Sequence, residues 1–346
     1  MASFSVFLFY LSVLVFSWPS TVVANGVGIC YGRVADNLPP PGKTVRLLTD
    51  NGITKVRLFN NAPSVLKAFA GTGISLMIGV PNEELSKINS KDAALQWLNT
   101  NIFAFVPADQ VLYLAVGNEI LLKQPYYAPY LLPAMTNLHE ALHSLTLGGK
   151  ILVSTPHAAT LLSTSFPPSA GTFDPKIMST MRPLLKFLDD TEAPFMVNLY
   201  PFFSHLGDPA NVPLDFAAFK EANPVKDGAL SYTNQFDASI DAFVAALERE
   251  GFGNIPVAVT ETGWPTAGGP GAGKAEAEAF NGCLVGRVQN GVGTPKRPNV
   301  GVEVFLFDLY DENKKEGSEY ERHFGIFGIN GSKAYNINFD KTLLVI

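Results

Sequence analysis

Residues 257–265 read Val-Ala-Val-Thr-Glu-Thr-Gly-Trp-Pro, a largely apolar, β-branched run that stops on a carboxylate, and residues 113–119, Tyr-Leu-Ala-Val-Gly-Asn-Glu, do the same. Near-continuous apolar runs of this length fit strands covered on both faces, as in a parallel sheet. Working outward from these two, assigned to Leu112–Val116 and Pro256–Thr260, six more such runs are bounded by Gly, Pro or Asn. They are Val27–Tyr31, Lys55–Phe59, Ser75–Val80, Ile151–Ser154, Phe195–Tyr200 and Gly301–Phe307. Between the runs lie helical periodicities, among them Leu131–Leu145, Ile177–Leu188, Phe236–Glu250 and Ala275–Val288. Eight alternating units predict an α/β fold, a single-domain (β/α)₈ TIM barrel. An open doubly wound sheet would favour a Gly-rich phosphate loop after the first strand, and Gly28-Ile29-Cys30-Tyr31-Gly32 lacks that spacing.

The composition supports a packed core. Of 346 residues 47% are hydrophobic and 16% charged, with a net charge of −6, which excludes a disordered chain. The acidic balance and the absence of a basic run argue against a nucleic-acid partner. Two Cys cannot staple a small scaffold or build a thiolate zinc site, and Cys30 and Cys283 are read as separate buried thiols. His139 and His143 share a helix face, but no HExxH frame surrounds them, so neither a metal nor another cofactor is expected. The apolar stretch Phe4–Phe16, followed by Val22-Val23-Ala24, reads as a secretory signal over residues 1–24, although no basic residue precedes Arg33. About a dozen apolar residues are short for a membrane span of roughly 20, so no stable membrane anchor is expected. The barrel is assigned to residues 25–346. Asn330-Gly331-Ser332 is a glycosylation sequon, which makes the chain a candidate glycoprotein.

Barrel enzymes carry their chemistry at the C-terminal ends of strands, and Glu119 and Glu261 end the fourth and seventh runs. Two carboxyl groups flanking one bond are what glycoside hydrolysis requires, a proton donor on one side and a carboxylate on the other. Either Glu alone could be a helix cap or a rim ion pair; the repetition of the pattern favours chemistry.

The stretch VAVTETGWPTAG at 257–268 resembles the signature of glycoside hydrolase family 17, the plant β-1,3-glucanases. Collinear similarity extends through GVGICYGRVADNLPPP, KVRLFN, IGVPNEEL, YLAVGNE, VNLYPFF, GTPKRP and the DENKKEG segment before Phe324-Gly325. The resemblance implies a retaining, endo-acting enzyme with Glu119 as general acid/base and Glu261 as nucleophile. Retention requires carboxyl groups about 5 to 5.5 Å apart, and the acid must hold its proton more tightly than the nucleophile. By the same resemblance Asn118 hydrogen-bonds the sugar 2-hydroxyl and Phe203 is a groove aromatic. Tyr200 would hold Glu261 through its hydroxyl and Tyr31 would line the sugar pocket, each with core packing as the other reading. Glu312, Lys315 and Glu321 match polar family positions, as an orienting ion-pair network or as a solvated loop. Phe202, Trp264 and Phe307 are further candidate platforms for sugar stacking, each with core packing as the other reading. Phe59 departs from the Tyr found in many members.

The implied substrate is β-1,3-glucan, as plant callose or fungal wall glucan, with a role in plant defence. Mixed-linkage β-1,3-1,4-glucan, and a glucan-binding or remodelling wall protein with weak hydrolysis, are the alternatives. A monomer in the apoplast or cell wall, or in the vacuole, is expected.

Overall fold

The computed structural model describes residues 26–221 and 223–340, so the expected signal at 1–24 lies outside the described residues. Eight runs form the barrel: β1 Gly28–Tyr31, β2 Lys55–Leu58, β3 Ser75–Val80, β4 Val111–Val116, β5 in two pieces at Leu152–Ser154 and Pro156–Ala158, β6 Phe195–Asn198, β7 Val257–Thr262 and β8 Glu303–Leu306. Each pairs in parallel with its neighbours, in the order β5–β4–β3–β2–β1–β8–β7–β6–β5. Strand five closes the ring by dividing its pairing: Leu152–Ser154 bonds to β4, and after a break at Thr155 the piece Pro156–Ala158 bonds to β6.

Seven helices cover the outside: α1 Pro41–Asp50, α2 Pro63–Phe69, α3 Lys91–Leu98, α4 Ala128–Ser144, α5 Met178–Asp190, α6 Gln235–Arg249 and α7 Lys274–Gln289. Their starts are locally specified. Pro opens α1 and α2, Ser90 accepts from the Ala93 amide at the head of α3, and Asn234 accepts from the Asp237 amide at the head of α6. The eighth unit departs from the expected alternation. After β8 the described chain makes one short turn, Glu319–Arg322, and then runs without a helix. Tyr335, Ile337 and Phe339 are buried there, with Tyr335 bonded to Asn281 and the Phe339 carbonyl to Gln289, so this segment packs against α7 in place of an outer helix.

The barrel interior is not uniformly apolar. In β2 the alternation Lys55-Val56-Arg57-Leu58 sends two cations inward, and both are buried. Lys55 meets Glu303 at 2.9 Å, and Glu303 also accepts from the Tyr113 hydroxyl at 2.6 Å, closing the lower interior. Arg57, two residues nearer the C-terminal mouth, reaches the site described below. Cys30 is fully buried and Cys283 half-buried, both as free thiols. His139 and His143 pack edge to face on α4 with ring centres 5.3 Å apart. No described helix is long and apolar enough to cross a membrane.

Candidate active site

Two local departures from regular backbone aim the carboxylates. Glu119 follows Gly117 and Asn118 in a tight turn after β4 and takes a left-handed conformation, φ 51°, which is uncommon for a residue with a side chain. Asn82 clamps this turn, accepting from the Asn118 amide at 2.8 Å and donating to its carbonyl at 3.2 Å. On β7 the register with both neighbouring strands slips after Val259, a bulge that redirects Glu261 at the strand end. The strand thus runs through Glu261 to Thr262, two residues past its expected end.

Asn198, at the end of β6, joins the two carboxyl groups. Its Nδ2 lies 2.9 Å from Glu119 Oε1, 2.9 Å from Glu261 Oε1 and 3.1 Å from Asn118 Oδ1. The two carboxylate oxygens therefore lie within twice 2.9 Å of each other. Arg57 supports the same group from below. Its guanidinium is 2.9 Å from Glu261 Oε1 and donates to Asn198 Oδ1, Asn118 Oδ1 and the Thr260 carbonyl, while lying over the Phe59 ring. The Tyr200 hydroxyl donates to Glu261 Oε2 at 2.9 Å. Burial and the Glu261 charge push that phenol well above its ordinary value, so it stays a donor. Lys123 pairs with Glu119 from the next turn of chain.

Burial pushes the Glu261 carboxyl up, Arg57 opposes this, and the Glu119 charge adds to the rise. The upward direction runs against the acidic character expected of the nucleophile. What favours its ionised form is the guanidinium at 2.9 Å, itself fixed by three other acceptors.

The carboxylates sit in a cleft of about 1070 Å³, which meets a second cavity of about 450 Å³ beside Glu119, Asn82 and Gln124. Of the expected residues, Tyr31, Asn118, Tyr200, Phe203, Glu312, Lys315 and Glu321 line the larger cleft. Tyr31 is almost wholly buried, and its hydroxyl accepts from Thr44 of α1. Lys315 lies 3.4 Å from Glu312, 3.6 Å from Glu321 and 4.0 Å from the centre of the Phe307 ring, an ion-pair network rather than a solvated loop. Phe203 packs on Tyr200 with ring centres 5.0 Å apart and keeps part of its surface open.

Trp264 corrects the sequence reading. It is fully buried, its indole donates to the Gly271 carbonyl at 2.9 Å, and its ring packs against Phe202 and Phe280. The bond to Gly271 ties the ring under the following loop, so it is a core residue and not a sugar platform; Phe202, also fully buried, is a core residue too. Sequence reasoning missed Arg57, Asn198, Asn82, Lys123 and Phe324. For Arg57 the signal was the polar-apolar alternation of β2, and for Asn198 its place two residues before Tyr200 at a strand end.

The sequence model of glycosyl hydrolases family 17 matches residues 27–339. The chain is 41% identical to glucan endo-1,3-beta-glucosidase 7 of Arabidopsis thaliana, over 98% of this chain and 68% of that one. It is 38% identical to a Vitis vinifera glucan endo-1,3-beta-glucosidase, over 92% of this chain and 93% of the relative. Among solved structures it is similar to CJP38, described as a beta-1,3-glucanase and allergen of Cryptomeria japonica pollen, with 42% identity, a TM-score of 0.87, and coverage of 91% of this chain and 99% of that one. It is also similar to a plant beta-glucan endohydrolase, at 37% identity and a TM-score of 0.84, with coverage of 90% and 100%. A family match across the whole barrel, with both strand-end glutamates gathered on one asparagine, makes this chain a member of glycosyl hydrolase family 17.

Proposed function

We propose that the chain is an endo-acting, retaining hydrolase of β-1,3-glucan, with Glu261 as nucleophile and Glu119 as acid/base, secreted to act on wall glucan. The observation that carries this reading is the shared donor. Two carboxylate oxygens each 2.9 Å from Asn198 Nδ2 are no more than twice that distance apart, a limit that admits the roughly 5 to 5.5 Å typical of retention and direct attack on an anomeric carbon. Inverting enzymes hold their carboxyl groups about 6.5 to 9.5 Å apart, to admit a water. The names of the closely similar plant relatives support the β-1,3 linkage as the one cleaved.

The geometry then performs the reaction in two steps. Glu261 attacks the anomeric carbon as Glu119 protonates the leaving oxygen, giving a glycosyl ester on Glu261. Glu119, now ionised, takes a proton from water, and that water cleaves the ester with net retention. Tyr200, Asn198 and Arg57 hold the nucleophile by three donors, which fixes its direction before substrate arrives. Asn118 Oδ1 is already taken by Arg57 and Asn198, so its amide Nδ2 is the group free to meet a sugar hydroxyl. The two adjoining cavities on either side of Glu119 support binding in the middle of a polymer.

The test is reducing-end release from laminarin-type and mixed-linkage glucans, with the anomer formed first followed by proton NMR. The expected result is a β-anomer first, faster release from the β-1,3 polymer, and loss by several orders of magnitude in Glu261→Ala. An α-anomer first, or an active Glu261→Ala, overturns the mechanism; preference for the mixed-linkage polymer overturns the substrate.

A further inference from the structure

Asp308 follows β8 and is fully buried beside the cleft, yet nothing in the reaction above uses it. Its Oδ1 accepts from the Gly32 amide at 2.9 Å and from the Leu309 amide at 2.7 Å. Its Oδ2 is buried and has no hydrogen-bond partner. Glu312 stands on the other side of Gly32: its Oε1 accepts from the Val34 amide at 2.7 Å, and its Oε2 is 3.4 Å from Lys315. A Cβ placed on Gly32 would lie 2.3 Å from Asp308 Oδ2 and 2.5 Å from Glu312 Oε1. The two oxygens thus face each other across the space left by the missing side chain, no farther apart than those two distances laid end to end.

Two buried carboxylates so placed cannot both stay ionised at modest cost, and one proton between them removes the repulsion. Placing it on Asp308 Oδ2 also turns an orphaned acceptor into a donor, with Glu312 Oε1 across the gap to receive it. Asp308 is the member that takes the proton, because its amides reach one oxygen only, whereas Glu312 meets the Lys315 cation on one oxygen and a backbone N–H on the other. Burial, with the Glu312 charge, pushes the Asp308 carboxyl well above its ordinary value. The Lys315 cation opposes that rise, and Cys30 of β1, a buried thiol close to Glu261 of β7 and Arg57 of β2, also faces Asp308.

We propose that Asp308 is held as a neutral carboxylic acid whose Oδ2–H donates to Glu312 Oε1, and that it is a positioning residue for the Lys315 cation at the cleft wall. Lys315 sits over Phe307 between Glu312 and Glu321, and its charge lowers the Glu261 carboxyl. A neutral Asp308 leaves the pair with a single negative charge and ties down the Glu312 carboxylate, and so fixes the cation. Gly32 is glycine for the same reason: any side chain there would separate the pair. The positioning role rests on the reading of Glu261 as nucleophile, whereas the protonation does not.

Infrared spectra of the full chain at neutral pH separate the two claims. The wild type is expected to show a protonated-carboxyl C=O band that shifts on carboxyl-¹³C aspartate labelling and disappears in Asp308→Asn. Glu312→Gln replaces the charged acceptor of the Oδ2–H by a neutral one and is expected to shift the same band to higher frequency, which keeps the test available if one variant does not fold. A band unchanged in either variant overturns the proposal, whatever the enzyme hydrolyses. In the kinetic arm Asp308→Asn, which still donates, keeps kcat/KM within about 3-fold, while Asp308→Leu loses roughly 10-fold or more as Glu312 loses its donor. The acid limb of the kcat/KM profile moves to higher pH in Asp308→Leu alone. A lowered melting temperature with the limb unmoved refutes the positioning role.

Discussion

Replacing Arg57 by Met keeps an unbranched apolar stem, shorter than the arginine, and removes the charge from beneath Glu261. The guanidinium is 2.9 Å from the carboxylate, and both side chains are largely buried, so the pair is screened little by solvent. At an effective dielectric constant of about 20, unit charges roughly 4 Å apart interact by about 4 kcal/mol, which caps the effect near 3 pKa units. Relaxation and water entry reduce it, and shifts of about 1 to 3 units are usual for a carboxylate that loses such a partner. Burial and Glu119 already push Glu261 upward, and Arg57 is the chief opposing influence, so its removal moves the carboxyl further up. On the proposed mechanism Glu261 must be ionised to attack. The acid limb of kcat/KM, which reports the free enzyme, is therefore expected to move up by about 1 to 3 units in Arg57→Met, with activity falling below that limb by roughly 10- to 1000-fold. Arg57→Lys should retain most of the limb position but lose rate at every pH, because a single ammonium cannot also hold Asn118, Asn198 and the Thr260 carbonyl. The assay is initial-rate hydrolysis across pH, with melting temperatures recorded for each variant. An unmoved acid limb in a folded Arg57→Met, with a uniform fall in rate, would refute the electrostatic role.

Phe203 and Trp264 should part in opposite directions. Trp264→Phe loses an indole hydrogen bond and core volume, about 1 to 3 kcal/mol by chemical denaturation, with KM unchanged. Phe203→Ala raises KM roughly 10-fold, with a smaller loss of stability, since its ring is partly open to the cleft; a KM rise confined to the Trp264 variant contradicts the assignment. His157 is fully buried against Phe195, and burial lowers its pKa from 6.5 to about 3. The unfolded chain binds the proton more readily, so stability is complete above pH 6.5 and falls on acidification toward pH 3, by about 1.4 kcal/mol per unit within that window. His157→Leu should unfold in urea with a shallower dependence on pH between those limits, and an identical dependence would show that other groups dominate.

The strands were legible because parallel barrel strands are short, apolar and bounded by breakers, and Glu119 and Glu261 because each ends such a run. Their ends were less legible: the bulge that carries β7 through Glu261 depends on pairing with both neighbours, which is a property of the closed sheet. Strand five was read as Ile151–Ser154, which misses the second piece Pro156–Ala158 beyond the break at Thr155, and the two pieces serve opposite neighbours. The absence of an eighth outer helix among the described residues is of the same kind, because a groove on α7 can be filled by an extended segment as well as by a helix.

The sequence by itself determined the number and order of the barrel strands, the two carboxylates at their ends and the family. Tertiary structure alone decided which polar side chains those carboxylates meet. Arg57, Asn118, Asn198 and Glu261 come from four different strands or strand ends, and only ring closure and strand tilt bring them within 3.1 Å of one another in a connected chain of contacts. It also decided that Trp264 faces the core while Phe203 faces the cleft. Both are aromatic residues just beyond a strand end, and their destinations depend on how the following loop folds back over the barrel, which no local pattern of residues encodes.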